Sequence, residues 1–143
     1  MTGSKAWGRN SVRISRAGDM QAARAAAGGR ATVFDFAGTE ARQTWLGTAI
    51  LAPGIATGLH HHGRHEVAFY VVKGNPEVRW GERLEFVAQL APGDYAYFPP
   101  YVPHQERNPS AAETIELVVV RSDSERIAVK IDGPIAEKPE AVY

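Results

Sequence analysis

The chain has 143 residues, with 16 basic and 16 acidic side chains, no cysteine, and 44% apolar content. That size and composition suit one folded domain with a single core. They exclude disulfides and thiolate metal sites, and they offer no charge excess to attract nucleic acid or a membrane surface.

The N-terminal stretch "MTGSKAWGRNSVRISR" is basic but leads into no apolar run, so it does not read as a secretory leader. Residues 20–29, "MQAARAAAGG", are interrupted by Arg24 and end on two glycines, too short and broken to cross a bilayer. The pattern predicts a short helix over 18–28, stopped by Gly28 and Gly29, within an arm of residues 1–29. A cytoplasmic location is the expectation.

From residue 30 the character changes. Short β-branched and aromatic runs follow one another: "ATVFDF" at 31–36, "TWLGTAIL" at 44–51, "VAFYVV" at 67–72, "EVRW" at 77–80 and "LEFVAQL" at 84–90. "DYAYF" at 94–98, "TIELVVV" at 114–120 and "RIAVKI" at 126–131 continue the series. Gly/Pro turns separate them, since glycine supplies positive φ and proline fixes φ. Many short strands at this spacing predict an all-β sandwich or barrel over residues 30–135. Residues 136–143 read as a polar tail.

Four of the five histidines fall in "HHHGRHE", residues 60–66. On a strand over 58–62, His60 and His62 share a face, with Cα atoms about 6.5–7 Å apart. Two imidazoles so placed can converge on one ion at about 2.0–2.2 Å. His61 then points the other way. Gly63-Arg64 can reverse the chain, so that the next run returns antiparallel, Glu66 swings in beside His62, and His65 faces outward. The stretch "PGDYAYFPPYVPHQERN" at 92–108 delivers the fifth histidine, His104, on a chain stiffened by Pro99, Pro100 and Pro103. Tyr70, in phase with Glu66, and Gln105 or Glu106, beside His104, are candidates to support the ligands, with core packing the plainer reading for Tyr70 and strand-end exposure for the other two. Trp45, Trp80, Phe86, Tyr95, Tyr97 and Phe98 are expected in the core or a pocket wall. Arg79 would hold an acidic substrate if it faced inward.

Together these stretches resemble the two signature motifs of the cupin superfamily. The first runs Gly54, "IATGL", His60-His61-His62, "GRH", Glu66, "VAFYVVK", Gly74; the second runs Gly93, "DYAYF", Pro99-Pro100-Tyr101, "VP", His104, "QER", Asn108. The longer text is also similar to small bacterial proteins described as RmlC-like cupins. Two departures stand out. Seven residues rather than six separate Glu66 from Gly74, which implies a bulge or shifted turn, and a one-residue slip reverses facing. Val67, the alternative position, cannot ligate, so Glu66 is the expected acid. Tyr101 stands where the motif has glycine, so its backbone should avoid positive φ and its ring should cover one rim of the site.

The resemblance implies a double-stranded β-helix, or jelly-roll barrel. Inside it, one divalent transition metal (Fe, Mn, Ni, Zn or Cu) would be held by His60, His62, Glu66 and His104. Such a centre would chelate a small oxygen-bearing molecule and stabilise its enolate. A dioxygenase-type oxidoreductase is the leading expectation. A cyclase or isomerase is the alternative, because the compact motif pair is similar to that of cupin polyketide cyclases. A metal- or ligand-binding sensor is the third reading. Glu66, as a ligand able to release the metal, and Tyr70 are the candidate catalytic groups. The resemblance further implies a homodimer, expected to meet near residues 30–36.

Overall fold

The computed structural model describes residues 12–18, 30–34, 41–123, 125 and 127–143. Apart from Gly18, the helix expected over 18–28 lies outside them. The described residues form eleven strands: β1 (Arg30–Phe34), β2 (Thr44–Leu51), β3 (His60–His61), β4 (Val67–Lys73), β5 (Glu77–Trp80), β6 (Phe86–Gln89), β7 (Tyr95–Phe98), β8 (His104–Arg107), β9 (Ile115–Ser122), β10 (Val129–Lys130) and β11 (Glu140–Ala141). They build a five-stranded sheet, ordered β1-β2-β9-β4-β7, and a six-stranded sheet, ordered β10-β3-β8-β5-β6-β11. This is the expected double-stranded β-helix. Among the described residues, no helix is long and apolar enough to cross a membrane.

Alternation drives the packing. In β2, Trp45, Gly47, Ala49 and Leu51 are buried while the residues between them are not. β9 runs between β2 and β4, and its inward face carries fully buried Ile115 and Leu117. With Val67, Phe69, Val71, Val78 and Phe98 these form the core, the period-2 pattern of sheets that bury one face. β1 forms one edge of the five-stranded sheet, so the stretch expected at a homodimer contact carries a strand edge.

Several expectations are corrected. β4 does not return beside β3: Gly63, at φ 58°, does help reverse the chain, with His65 N donating to His62 O at 3.1 Å, but β4 enters the opposite sheet. The polar tail contributes β11, which pairs parallel with β6, with Val142 N donating to Val87 O at 2.9 Å. Tyr95 and Tyr97 are exposed rather than core, because they occupy the outward parity of β7, opposite buried Phe98. Arg79, whose direction its own stretch of sequence leaves open, faces away from the interior, opposite in parity to buried Val78. Its Nε donates to Glu77 at 2.7 Å, and Glu77 in turn accepts from Gln89 and Arg107.

Tyr101 adopts φ 64°, against the expectation. A left-handed backbone costs a non-glycine residue about 1–2 kcal/mol. Here it lets Tyr101 N donate to Gly63 O at 2.8 Å, tying the two histidine-bearing loops together. The ring is exposed and sits 5.8 Å from His61. The extra residue before Gly74 shows as a register irregularity between Val71 and Lys73, where β4 pairs with β9. Gly74 itself cannot be replaced cheaply: at φ +84° an added Cβ would meet Thr114 O and Ile115 Cγ1 at 2.8 Å.

Candidate metal centre

Register assembles three imidazoles. His60 on β3 is paired directly with His104 on β8, and His62 follows two residues after His60. Ring centroids lie 4.9 Å apart for His60 and His62, 4.4 Å for His60 and His104, and 5.0 Å for His62 and His104. One ligating atom from each falls within 4.8 Å of the others.

The tautomers follow from the hydrogen bonds. His60 Nδ1 lies 2.6 Å from Gly58 O, His62 Nδ1 2.9 Å from Ile127 O, and His104 Nδ1 3.0 Å from Val102 O. A carbonyl oxygen only accepts, so each Nδ1 carries a proton, and Nε2 is the ring nitrogen left to meet a metal. Such a carbonyl partner fixes ring orientation in metal-binding histidines. His104 is 1% exposed and stacked on Phe98 at 4.2 Å, yet its Nε2 has no hydrogen-bond partner. A buried orphan acceptor beside two further imidazole nitrogens is costly unless a cation joins them. The donor set therefore fits a divalent transition metal, and three neutral nitrogens suit several of them.

Electrostatics favour the neutral, ligating form of His62 and His104. Burial, chiefly, pushes His62 down to about 4, with His104 and His60 adding to the effect against the bond to Ile127. Burial likewise lowers His104. An unfolded histidine titrates near 6.5, so between about 6.5 and 4 the unfolded chain binds more protons than the native one. Stability of the metal-free protein is then full above that window and falls as pH drops through it. Urea midpoints in chelator should decline from pH 7 to pH 5, and His62→Gln should flatten the decline. An unchanged midpoint in the wild type would contradict the burial of neutral imidazoles.

Glu66 does not join the histidines. It is exposed, and it accepts a hydrogen bond from Tyr97 at 2.6 Å on the outer face. Val67 takes the inward position instead, buried and in the cavity wall. Strand alternation makes the two exclusive, so the turn after His62 decides which enters. Tyr70 shares Glu66's parity; it is 36% exposed and packs on Tyr95 at 4.9 Å. Neither proposed catalytic group reaches the cavity. His65, expected outward, is buried at 1% exposure, since it shares parity with Val67 and Phe69. His61 points away from the cluster as expected and accepts from Gly63 N at 2.9 Å.

The cavity between the sheets has a volume of about 310 Å³. Leu51, Val67, Phe69, Leu117 and Val119 supply much of its apolar wall, and His60 and His62 open onto it. Thr57, Glu106 and Arg121 also line it; of these the sequence singles out only Glu106, as a candidate beside His104 with surface exposure the plainer reading. A signal for Glu106 existed: it lies two residues beyond His104 on one strand, hence on the same face. Arg121 is 7% exposed, with its guanidinium 4.5 Å from the Trp45 ring centroid.

Residues 47–121 match the cupin domain family. The chain belongs to the cupin superfamily. It is similar to a cupin 2 domain-containing protein from Halorhodospira halophila, at 30% identity over 73% of this chain and 70% of that one, with a TM-score of 0.62. The fold also matches the polyketide cyclase RemF from Streptomyces resistomycificus, at 21% identity, 77% and 73% coverage, and TM-score 0.62. An RmlC-like cupin from Shewanella frigidimarina matches at 22% identity, 67% and 76% coverage, and TM-score 0.54. No curated protein sequence matches the chain.

Proposed function

We propose that this cupin is a metal-dependent enzyme of the dioxygenase type, acting on a small organic molecule that carries adjacent oxygens. The observation that supports this most directly is the convergence of one ring nitrogen from each of His60, His62 and His104, two of which open onto a largely apolar cavity. A divalent transition metal bound there would supply Lewis acidity to stabilise an enolate and, if redox-active, a route for electrons to dioxygen. The chain's own part is to hold and orient. His60, His62 and His104 present nitrogens oriented by their carbonyl partners, while Phe69, Leu117 and Val119 keep water from the reacting carbon. A cavity of about 310 Å³ is at the small end of ligand sites, which favours a diketone, catechol or hydroxy acid over a polymer. Arg121 in the wall adds weight to an acidic substrate.

A non-oxidative cyclase or isomerase is the second reading, brought forward by the shared fold with a polyketide cyclase. Metal analysis of the purified protein, followed by oxygen-electrode assays across those three substrate classes, separates the two. Iron, copper or nickel with oxygen uptake is the expected result. Zinc with turnover but no uptake would move the assignment to the cyclase class. An organic ligand retained unchanged, without turnover, would make the barrel a binding module.

A further inference from the structure

We infer that Glu106 takes the carboxylate role which the motif spacing assigns to Glu66, so that the acid of this centre comes from β8 rather than from the start of β4. The inference rests on the metal reading above and concerns which side chain completes the ligand set.

Three observations carry it. First, parity and register aim Glu106 inward. It follows His104 by two residues on β8 and pairs across β5 with Val78, a 4% exposed core residue. Second, its carboxylate is held rather than free. Thr57 Oγ1 donates to Glu106 Oε2 at 3.0 Å, while Glu106 N donates to the same hydroxyl at 3.0 Å and Thr57 N donates to Glu106 O at 2.9 Å. That fixes Oε2 and leaves Oε1 as the oxygen nearer His104 Nε2. Third, Glu106 Oε1 lies 3.6 Å from His104 Nε2, the nitrogen that is buried without a partner. This separation is too long for a hydrogen bond. It is close to the spacing of two ligands on one ion, since atoms about 2.1 Å from a tetrahedral metal stand about 3.4 Å apart. Glu66 has none of these properties: it is exposed and engaged by Tyr97 on the outer surface.

Thr57 then acts as a positioning residue; His60, His62 and Glu106 line the cavity, from β3, its flanking turn and β8, with buried His104 beside His60. All four belong to one sheet or its immediate edge. The facing sheet contributes Val67 and Arg121, which are neighbours across β4 and β9, and no ligand.

Calorimetric titration of Zn(II) into metal-free protein, with the visible spectrum of the Co(II) form as a second readout, tests this without any activity assay. Glu106→Gln should weaken Zn(II) binding by at least the roughly 10–100-fold that losing an outer-shell partner costs and alter the Co(II) bands, while Glu66→Gln leaves both as in the wild type. Glu106→Asp, which keeps the charge but withdraws it by one methylene, should weaken binding too and serves if the Gln variant does not fold. Wild-type affinity and spectrum in the folded Glu106 variants would overturn the inference while leaving the metal centre intact. Loss of affinity in Glu66→Gln instead would return the role to Glu66. A wild-type protein that takes up neither ion would overturn both this inference and the metal reading.

Discussion

Saturating Zn(II) or Co(II) should raise the melting temperature of the metal-free protein by about 5–10 °C, and chelator should reverse the gain. A ligand at 100 times its Kd that binds only the native state adds about 2.7 kcal/mol. For a chain of this length each kcal/mol moves Tm by about 2–4 °C. The native state alone can make this interaction, because His60 and His62 meet His104 only after β3 has paired with β8 across more than forty residues. His62→Ala should abolish most of the shift, since it removes one of three converging nitrogens while leaving buried His104 and its stack on Phe98 in place. A full shift retained in that variant would show that the ion binds elsewhere. No shift in the wild type, at millimolar metal and pH 7.5, would remove the centre altogether.

The second large effect falls on Asn108, the last residue of the second motif. It is 3% exposed, and its Nδ2 reaches Leu51 O at 3.0 Å, Ala52 O at 3.2 Å and Glu113 O at 2.7 Å. Its Oδ1 accepts from Ser110 N at 3.1 Å. One amide thus joins the end of β2, the turn after β8 and the approach to β9. Replacement by alanine strands buried carbonyls that each cost about 1–3 kcal/mol without a donor, partly relieved by relaxation. Asn108→Ala should therefore lose about 2–4 kcal/mol in urea unfolding and roughly 5–15 °C in Tm. Zn(II) affinity of the folded variant should stay near wild type, because the residue touches none of the imidazoles. A stable variant with impaired metal binding would instead make Asn108 part of the centre.

The fold was legible because its signals are local and repeated. "TWLGTAIL" and "EVRW" coincide with β2 and β5 to the residue, and the motif spacing identified three of the residues that now surround one point. What stayed hidden depends on pairing partners far along the chain. The turn from His62 could contain three residues or four before the inward position, and local sequence favoured the one that ended on an acid. Counting back six residues from Gly74 gives Val67 instead, which is where the sheet turns inward. The choice of Glu66 followed chemistry where geometry prevailed. Glu106 is, from the sequence, only one of two candidates beside His104, because a charged residue near a strand end is ordinarily solvated; its pairing with Val78 across β5 shows that it points inside. Tyr101 departs from what its residue type implies, because a bulky residue rarely takes a left-handed backbone. The bond it gains to Gly63 could not be read from either stretch alone. Tyr95 and Tyr97 look like core by residue type, yet the strand's parity is set by Phe98, which packs at 5.8 Å against Phe69.

The strand at 140–141 also bears on self-association. An open sheet edge exposes amides that invite a foreign strand, and β6 would have such an edge on the side away from β5. Glu140 N and Val142 N donate to Glu85 O and Val87 O, and the Tyr143 ring lies 6.3 Å from Trp80. Eight residues with the composition of a dangling end thus act as a selvedge, keeping that border of the weave from fraying into its neighbours.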